Sequence, residues 1–187
     1  MERKDFYVAF EDYYKKLIKV YEETFDSQPT VCYSEDDSSI DKDMILSKPN
    51  EEGESIWKIK KVENYDCSKL EENLGFKLCD DLKGFYTSYL FLRLAGEYND
   101  ITFSFDNLQS SESIEKRVLI ARKDGEYYFE NSKIFCLGVA EYSDNDSYVI
   151  LYDNDDGRLF IYDAEMKNSI NLDISLKELL SKMKAIF

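Results

Sequence analysis

Three apolar runs late in the chain constrain its fold more than any other feature. Ile134 to Val139, Tyr148 to Tyr152 and Leu159 to Tyr162 each have strand length and are rich in β-branched or aromatic residues. Ser143-Asp144-Asn145-Asp146 links the first pair, and Asn154-Asp155-Asp156-Gly157 links the second. Links this short cannot carry the crossover that parallel pairing needs, so the runs form an antiparallel meander. Asp156-Gly157 is itself a hairpin-turn signal. Ile101-Thr102-Phe103-Ser104-Phe105 alternates with period two and adds another strand.

Helical spacing surrounds the meander. Phe6, Phe10, Tyr13, Leu17 and Tyr21 mark one face of a long N-terminal helix, which Pro29 closes. The reading adopted is a helix packed on the core rather than an aromatic stripe open to a partner. Ile56 to Val62 reads as a strand, with Trp57, Ile59 and Val62 on its buried side. Ser68-Lys69-Leu70-Glu71 has the form of a capping box; Leu70 and Leu74 face inward and Gly75 closes the helix. Asp80 and Asp81 suit the positive end of a further helix, whose buried face is Leu82, Phe85, Tyr86 and Tyr89.

Residues 111–129 fit two patterns. Ile114, Val118 and Ala121 suit a helix, while Val118 to Ala121, Asp124-Gly125 and Tyr127 to Phe129 suit a hairpin. The helix is adopted. Ser175-Leu176-Lys177-Glu178 is a second capping box, and Leu176, Leu179, Leu180 and Met183 line the helix after it. The expected fold is therefore α+β. It is one domain over residues 1–187, an antiparallel or mixed sheet with a central meander flanked by N-terminal, middle and C-terminal helices. Residues 1–28 hold the first helix, 34–55 an acidic loop with Met44-Ile45-Leu46 as a short edge strand, and 56–187 the core.

Charge narrows the functional classes. The chain carries 24 Lys and Arg against 39 Asp and Glu, net −15, with no His. Such a field repels a phosphate backbone and excludes nucleic acid as the expected partner. Without His there is no Ser-His or Cys-His nucleophile and no His-ligated zinc. The charge is concentrated. Residues 34–55 hold net −6 and residues 141–165 net −7. The two segments either meet as one negative face or are separate solvated regions.

Other chemistries find little purchase. Cys32, Cys67, Cys79 and Cys136 are too scattered for a metal motif and read as buried, reduced thiols. Tyr152 to Gly157 resembles a calcium loop only superficially, because Tyr152 stands where an EF-hand begins with Asp. No glycine-rich phosphate loop occurs. Paired carboxylates are abundant but sit in polar loops, the wrong setting for an acid with a raised pKa. Met1 to Asp5 has no apolar signal-peptide core, and no run of about 18 apolar residues exists, so a cytoplasmic location is expected. No cofactor is expected.

The order of motifs resembles the SUKH superfamily. The resemblance rests on Trp57, Glu71-Glu72-Asn73-Leu74-Gly75, Asp80-Asp81, Leu82-Lys83-Gly84-Phe85-Tyr86, and Asp153 to Gly157. Leu78-Cys79-Asp80 stands where the family has a Leu-Pro step. Within the superfamily the chain looks most like the Syd branch, through Ala9 to Tyr14, Pro29 and the Leu-rich terminal helix. The resemblance implies a non-catalytic protein binder with Trp57, Gly75, Phe85, Tyr86 and Gly157 as framework. SUKH proteins are typically immunity proteins that neutralise toxins, often nucleases, whereas Syd-like proteins bind the translocon subunit SecY. A basic toxin domain is the first expected partner and basic SecY loops the alternative; only the latter brings the protein to a membrane, indirectly. A carboxylate-dependent hydrolase is the remote third reading. The expected contacts are Glu35, Asp36, Asp37, Asp144, Asp146, Asp155 and Asp156, with Tyr33, Tyr142 and Tyr148 as anchors.

Overall fold

The computed structural model describes residues 3–143 and 145–187. Its centre is a seven-stranded antiparallel sheet, and the anticipated meander is the middle of it. β5 (Ala95–Tyr98), β6 (Ile101–Phe105), β7 (Ile134–Tyr142), β8 (Asn145–Asp153), β9 (Leu159–Asp163) and β10 (Asn168–Asn171) pair in chain order. The C-terminal β11 (Lys184–Ala185) returns to lie beside β5. The three late strands are longer than their apolar runs, and β5, β10 and β11 have no apolar run at all. β5 contains Gly96, where a Cβ would lie 2.7 Å from the Lys184 carbonyl oxygen of β11. The close approach of that strand requires glycine there.

Alternation sets the two faces of the sheet. Ile101, Phe103 and Phe105 turn into the main core, and Thr102 and Ser104 turn away from it. Helix α1 (Arg3–Phe25) covers the inner face beside α3 (Asp80–Ser88) and α5 (Leu176–Lys182). All five residues of its expected face are buried, so the packed reading holds. Tyr13 fixes α1 to the sheet edge: its hydroxyl donates to the Ala95 carbonyl at 2.8 Å and accepts from the Ala95 amide at 2.9 Å. α2 (Ser68–Leu74) ends at Gly75, whose φ of +75° is the left-handed closure.

Residues 111–129 are helical, as adopted: α4 (Ser113–Tyr128) buries Ile114, Val118 and Ala121. Its C-terminal end crosses to the outer face, where Tyr128 and Phe129 pack on Ile134, Leu151 and Phe160 in a second, smaller core.

Residues 34–55 depart from the expected acidic loop, and Met44-Ile45-Leu46 does not form the expected edge strand. β1 (Thr30–Cys32) pairs with β2 (Glu54–Ile56) and closes the segment at its base. A 3-10 turn at Lys42–Met44 buries Met44 completely, and Ile45 bridges to Trp57. Two apolar side chains, Ile40 and Met44, are enough to tie an otherwise polar segment to the core. The strand expected over 56–62 divides at Trp57 into β2 and β3 (Lys60–Lys61), the latter pairing with β4 (Tyr89–Leu90). Cys32 is exposed and the other three thiols are half-buried, so the expectation of four buried thiols is corrected, although all four are unbridged.

Candidate protein-binding surface

The expected contact residues fall into three separate places. Successive hairpins of a meander turn at opposite ends of the sheet. Asp146 therefore lies near one end of β8 and Asp155 and Asp156 beyond the other, roughly 25 Å apart at strand rise. Asp144 lies outside the described residues. Glu35, Asp36 and Asp37 belong to the third place, where the hydrogen bonds of residues 34–55 run among themselves and to 29–33, 56–60 and Gln109. The acids of 141–165 are thus divided between opposite ends of the sheet and do not form one patch.

These carboxylates also differ in what already neutralises them. Lys133 lies 2.7 Å from Asp155, and Arg158 lies 3.7 Å from Asp156 and 3.8 Å from Asp153. Asp163 is 1% exposed. Donation from the Met166 amide, the Asn145 side chain and the Glu165 amide holds its carboxyl below the usual range. Much of the negative charge of 141–165 is therefore engaged within the fold.

Asn154, in the same acidic turn, is buried for a structural purpose. Its side chain accepts from the Cys79 amide at 2.7 Å and donates to the Lys77 carbonyl at 3.0 Å, clamping the turn onto the corner between α2 and α3. Beside it, the buried Tyr152 hydroxyl lies 3.6 Å from the Cys79 thiol.

The tip at 34–37 differs. Asp37 accepts from the Ser39 amide at 2.8 Å, and Ser39 holds its carboxyl below the usual range. Its own amide donates to the Ser34 carbonyl at 2.9 Å, which closes the turn. Among the described residues, Glu35, Asp36 and Asp37 have no cation within ion-pair distance. Glu35 and Asp36 are exposed and line a cleft of about 530 Å3 with Tyr33, Lys42, Ile45 and Leu46. Deeper in the segment, Asp41 and Asp43 each hold the Lys60 ammonium at 2.8 Å, which raises the Lys60 pKa and lowers that of Asp43.

The anchors are redistributed. Tyr148 is buried in the core and Tyr142 packs edge-on against it, ring centres 6.2 Å apart. Tyr33 is half-buried beside the acidic tip. The apolar residue that does project here is Leu46, 51% exposed, and the sequence reading passed over it as part of an edge strand. The framework residues Trp57, Phe85 and Tyr86 are all buried, and Gly75 and Gly157 occupy turns with φ of +75°. No helix among the described residues is long and apolar enough to cross a membrane. No protein-family model and no curated protein matches this sequence.

Proposed function

We propose that this protein is a non-catalytic binding module that engages a basic protein partner through the tip formed by Glu35, Asp36 and Asp37. One observation carries the reading: among the described residues these three adjacent carboxylates have no cation within ion-pair distance, while Asp41, Asp43, Asp153, Asp155 and Asp156 do; Asp146 also has none but lies apart from Asp155 and Asp156. Carboxylates without an internal cation steer a cationic surface and form charge-assisted contacts without breaking an ion pair of the fold. The motif order adds that the partner is a toxin domain neutralised by an immunity protein, with basic SecY loops as the alternative.

The test is co-purification of the tagged protein from its native host, with mass spectrometry of the bound protein and elution by rising ionic strength. A stoichiometric basic partner, released by salt and lost from the Glu35→Gln/Asp36→Asn/Asp37→Asn variant, is the expected result. Its identity separates a toxin from SecY. A partner that stays bound at high salt and to the variant overturns the proposal.

A further inference from the structure

Next to the acidic tip lies a cleft of the opposite sign. It runs between residues 42–46 and 58–63, has a volume of about 930 Å3, and is lined by Lys42, Lys58, Lys60 and Lys61 with Asp43 and Glu63 as its acids. Lys60 is neutralised by Asp41 and Asp43, each 2.8 Å away. Among the described residues Lys42, Lys58 and Lys61 have no carboxylate within ion-pair distance; Lys61 instead sits 4.2 Å from the centre of the Tyr7 ring. Four ammonium groups there stand against three carboxylates, Asp41, Asp43 and Glu63, so in a chain of net −15 the cleft is a locally positive spot.

We infer that this cleft binds an acidic segment of polypeptide. Three features choose a peptide over a small anion. The volume is in the range of sites that enclose a ligand of many atoms. Its cations are separate point charges on flexible stems, with neither an arginine fork nor a nest of amides to converge on one phosphate. Its walls also carry aliphatic surface, from Ile45, Ile59 and the exposed Leu46, which suits the side chains between the acids of a peptide.

The walls are fixed before binding. Met44 is fully buried, the Leu46 amide donates to the Ile56 carbonyl at 2.8 Å, and the Lys58 amide donates to the Met44 carbonyl at 2.8 Å. The backbone cost of ordering on association is correspondingly small, and the lysine side chains carry the rest. This cleft and the one bearing Glu35 and Asp36 share Lys42, Ile45 and Leu46. The inference thus rests on the protein-binding reading in one respect, that the occupant is part of a protein; it adds that the partner places an acidic segment beside its basic one.

The probe is a short peptide alternating Glu and Leu, titrated into 15N-labelled full-length protein and followed by amide chemical shifts. A peptide alternating Lys and Leu and inorganic phosphate are the comparisons. The expected result is a saturable shift of the amides of residues 42–46 and 58–61 with the Glu-Leu peptide. Lys58→Glu/Lys61→Glu weakens it by about tenfold or more. The Glu35→Gln/Asp36→Asn/Asp37→Asn variant binds it as well or better, because that change removes repulsion at the neighbouring tip. Lys58→Gln/Lys61→Gln, a milder change, gives the same ordering should the reversal unfold the chain. Absence of a saturable shift overturns the inference, and so does phosphate that moves the same amides and displaces the peptide. The Lys-Leu peptide reports separately on the acidic tip, so loss of its binding counts against the proposed function alone.

Discussion

Single residues in this protein decide whether neighbouring elements stay in register, and Asn154 is the clearest case. It occupies a turn that reads from sequence as a polar, solvent-facing connection. Yet its side chain is the partner of two backbone groups from a corner 75 residues away, the Cys79 amide and the Lys77 carbonyl. Asn154→Ala leaves both without that partner, and unsatisfied buried groups cost more than the bond itself contributes. We expect about 2–3 kcal/mol of lost stability, seen as a lower urea midpoint at unchanged slope. Gly125 makes a different demand. A Cβ there would lie 2.1 Å from the Ile134 carbonyl oxygen, so α4 lies on β7 only because the side chain is absent. Gly125→Ala improves local helix propensity but forces α4 off the strand. The steric effect dominates, at about 1–3 kcal/mol, and thermal unfolding moves down by several degrees.

Two identical motifs show what an element's sequence can and cannot specify. Ser175-Leu176-Lys177-Glu178 forms its capping box in full: Ser175 accepts from the Glu178 amide and Glu178 accepts from the Ser175 amide. Ser68-Lys69-Leu70-Glu71 has the same pattern and does not form it. Asp66 accepts from the Ser68 amide at 2.9 Å and from its hydroxyl at 2.7 Å. Glu71 turns instead to Lys83 at 2.8 Å and to the Leu78 amide at 3.0 Å, bonds that tie α2 to α3. A stronger acceptor two residues earlier and a cation from another helix outcompete the local motif. Ser175→Ala is therefore expected to cost about 1 kcal/mol in chemical denaturation, and Ser68→Ala a small fraction of that. The same contrast governs what was legible. Residues 111–129 fit helix and hairpin patterns alike and only the fold shows α4, whereas the face of α1 and the meander followed from local periodicity. β5, β10 and β11 did not, because short strands such as Asn168–Asn171 are defined by their pairing partners rather than by their own composition. Leu46 escaped for a related reason: its exposure depends on Met44 and Ile40 being buried around it, which no local pattern states.

At the scale of the whole molecule, the net charge of −15 opposes folding by self-repulsion at neutral pH, while individual carboxylates pull in both directions as pH falls. Asp66, Glu71, Asp163 and Glu178 have lowered pKa values, Asp66 through Ser68, Glu71 through Lys83, Asp163 through the Met166 amide and Glu178 through Ser175. Their contribution is present above the unfolded carboxylate pKa and is lost as pH falls through the folded one. Asp81 is the opposite case: burial raises its pKa, so its ionised form burdens the fold at neutral pH, and protonation relieves that burden before ordinary carboxylates titrate. Both the relief of repulsion and the protonation of Asp81 precede the loss of the hydrogen-bonded carboxylates. Stability should therefore stay nearly level from pH 8 to about pH 6, rise to a maximum at about pH 5 as the carboxyls with raised pKa protonate, and fall steeply below about pH 4. Added salt separates the two gains, because it screens repulsion between exposed charges and leaves the half-buried Asp81 largely untouched. Thermal unfolding between pH 8 and pH 3 at low and high salt tests this, with Asp81→Asn as the second variable. At high salt the wild-type rise towards pH 5 shrinks but persists, and in Asp81→Asn at high salt it is smaller still, the remainder coming from Asp106, whose pKa burial also raises. A wild-type Tm that falls steadily from pH 8 would mean that the carboxylate hydrogen bonds outweigh the repulsion everywhere, and that the acidic surface carries no folding cost for a partner to relieve.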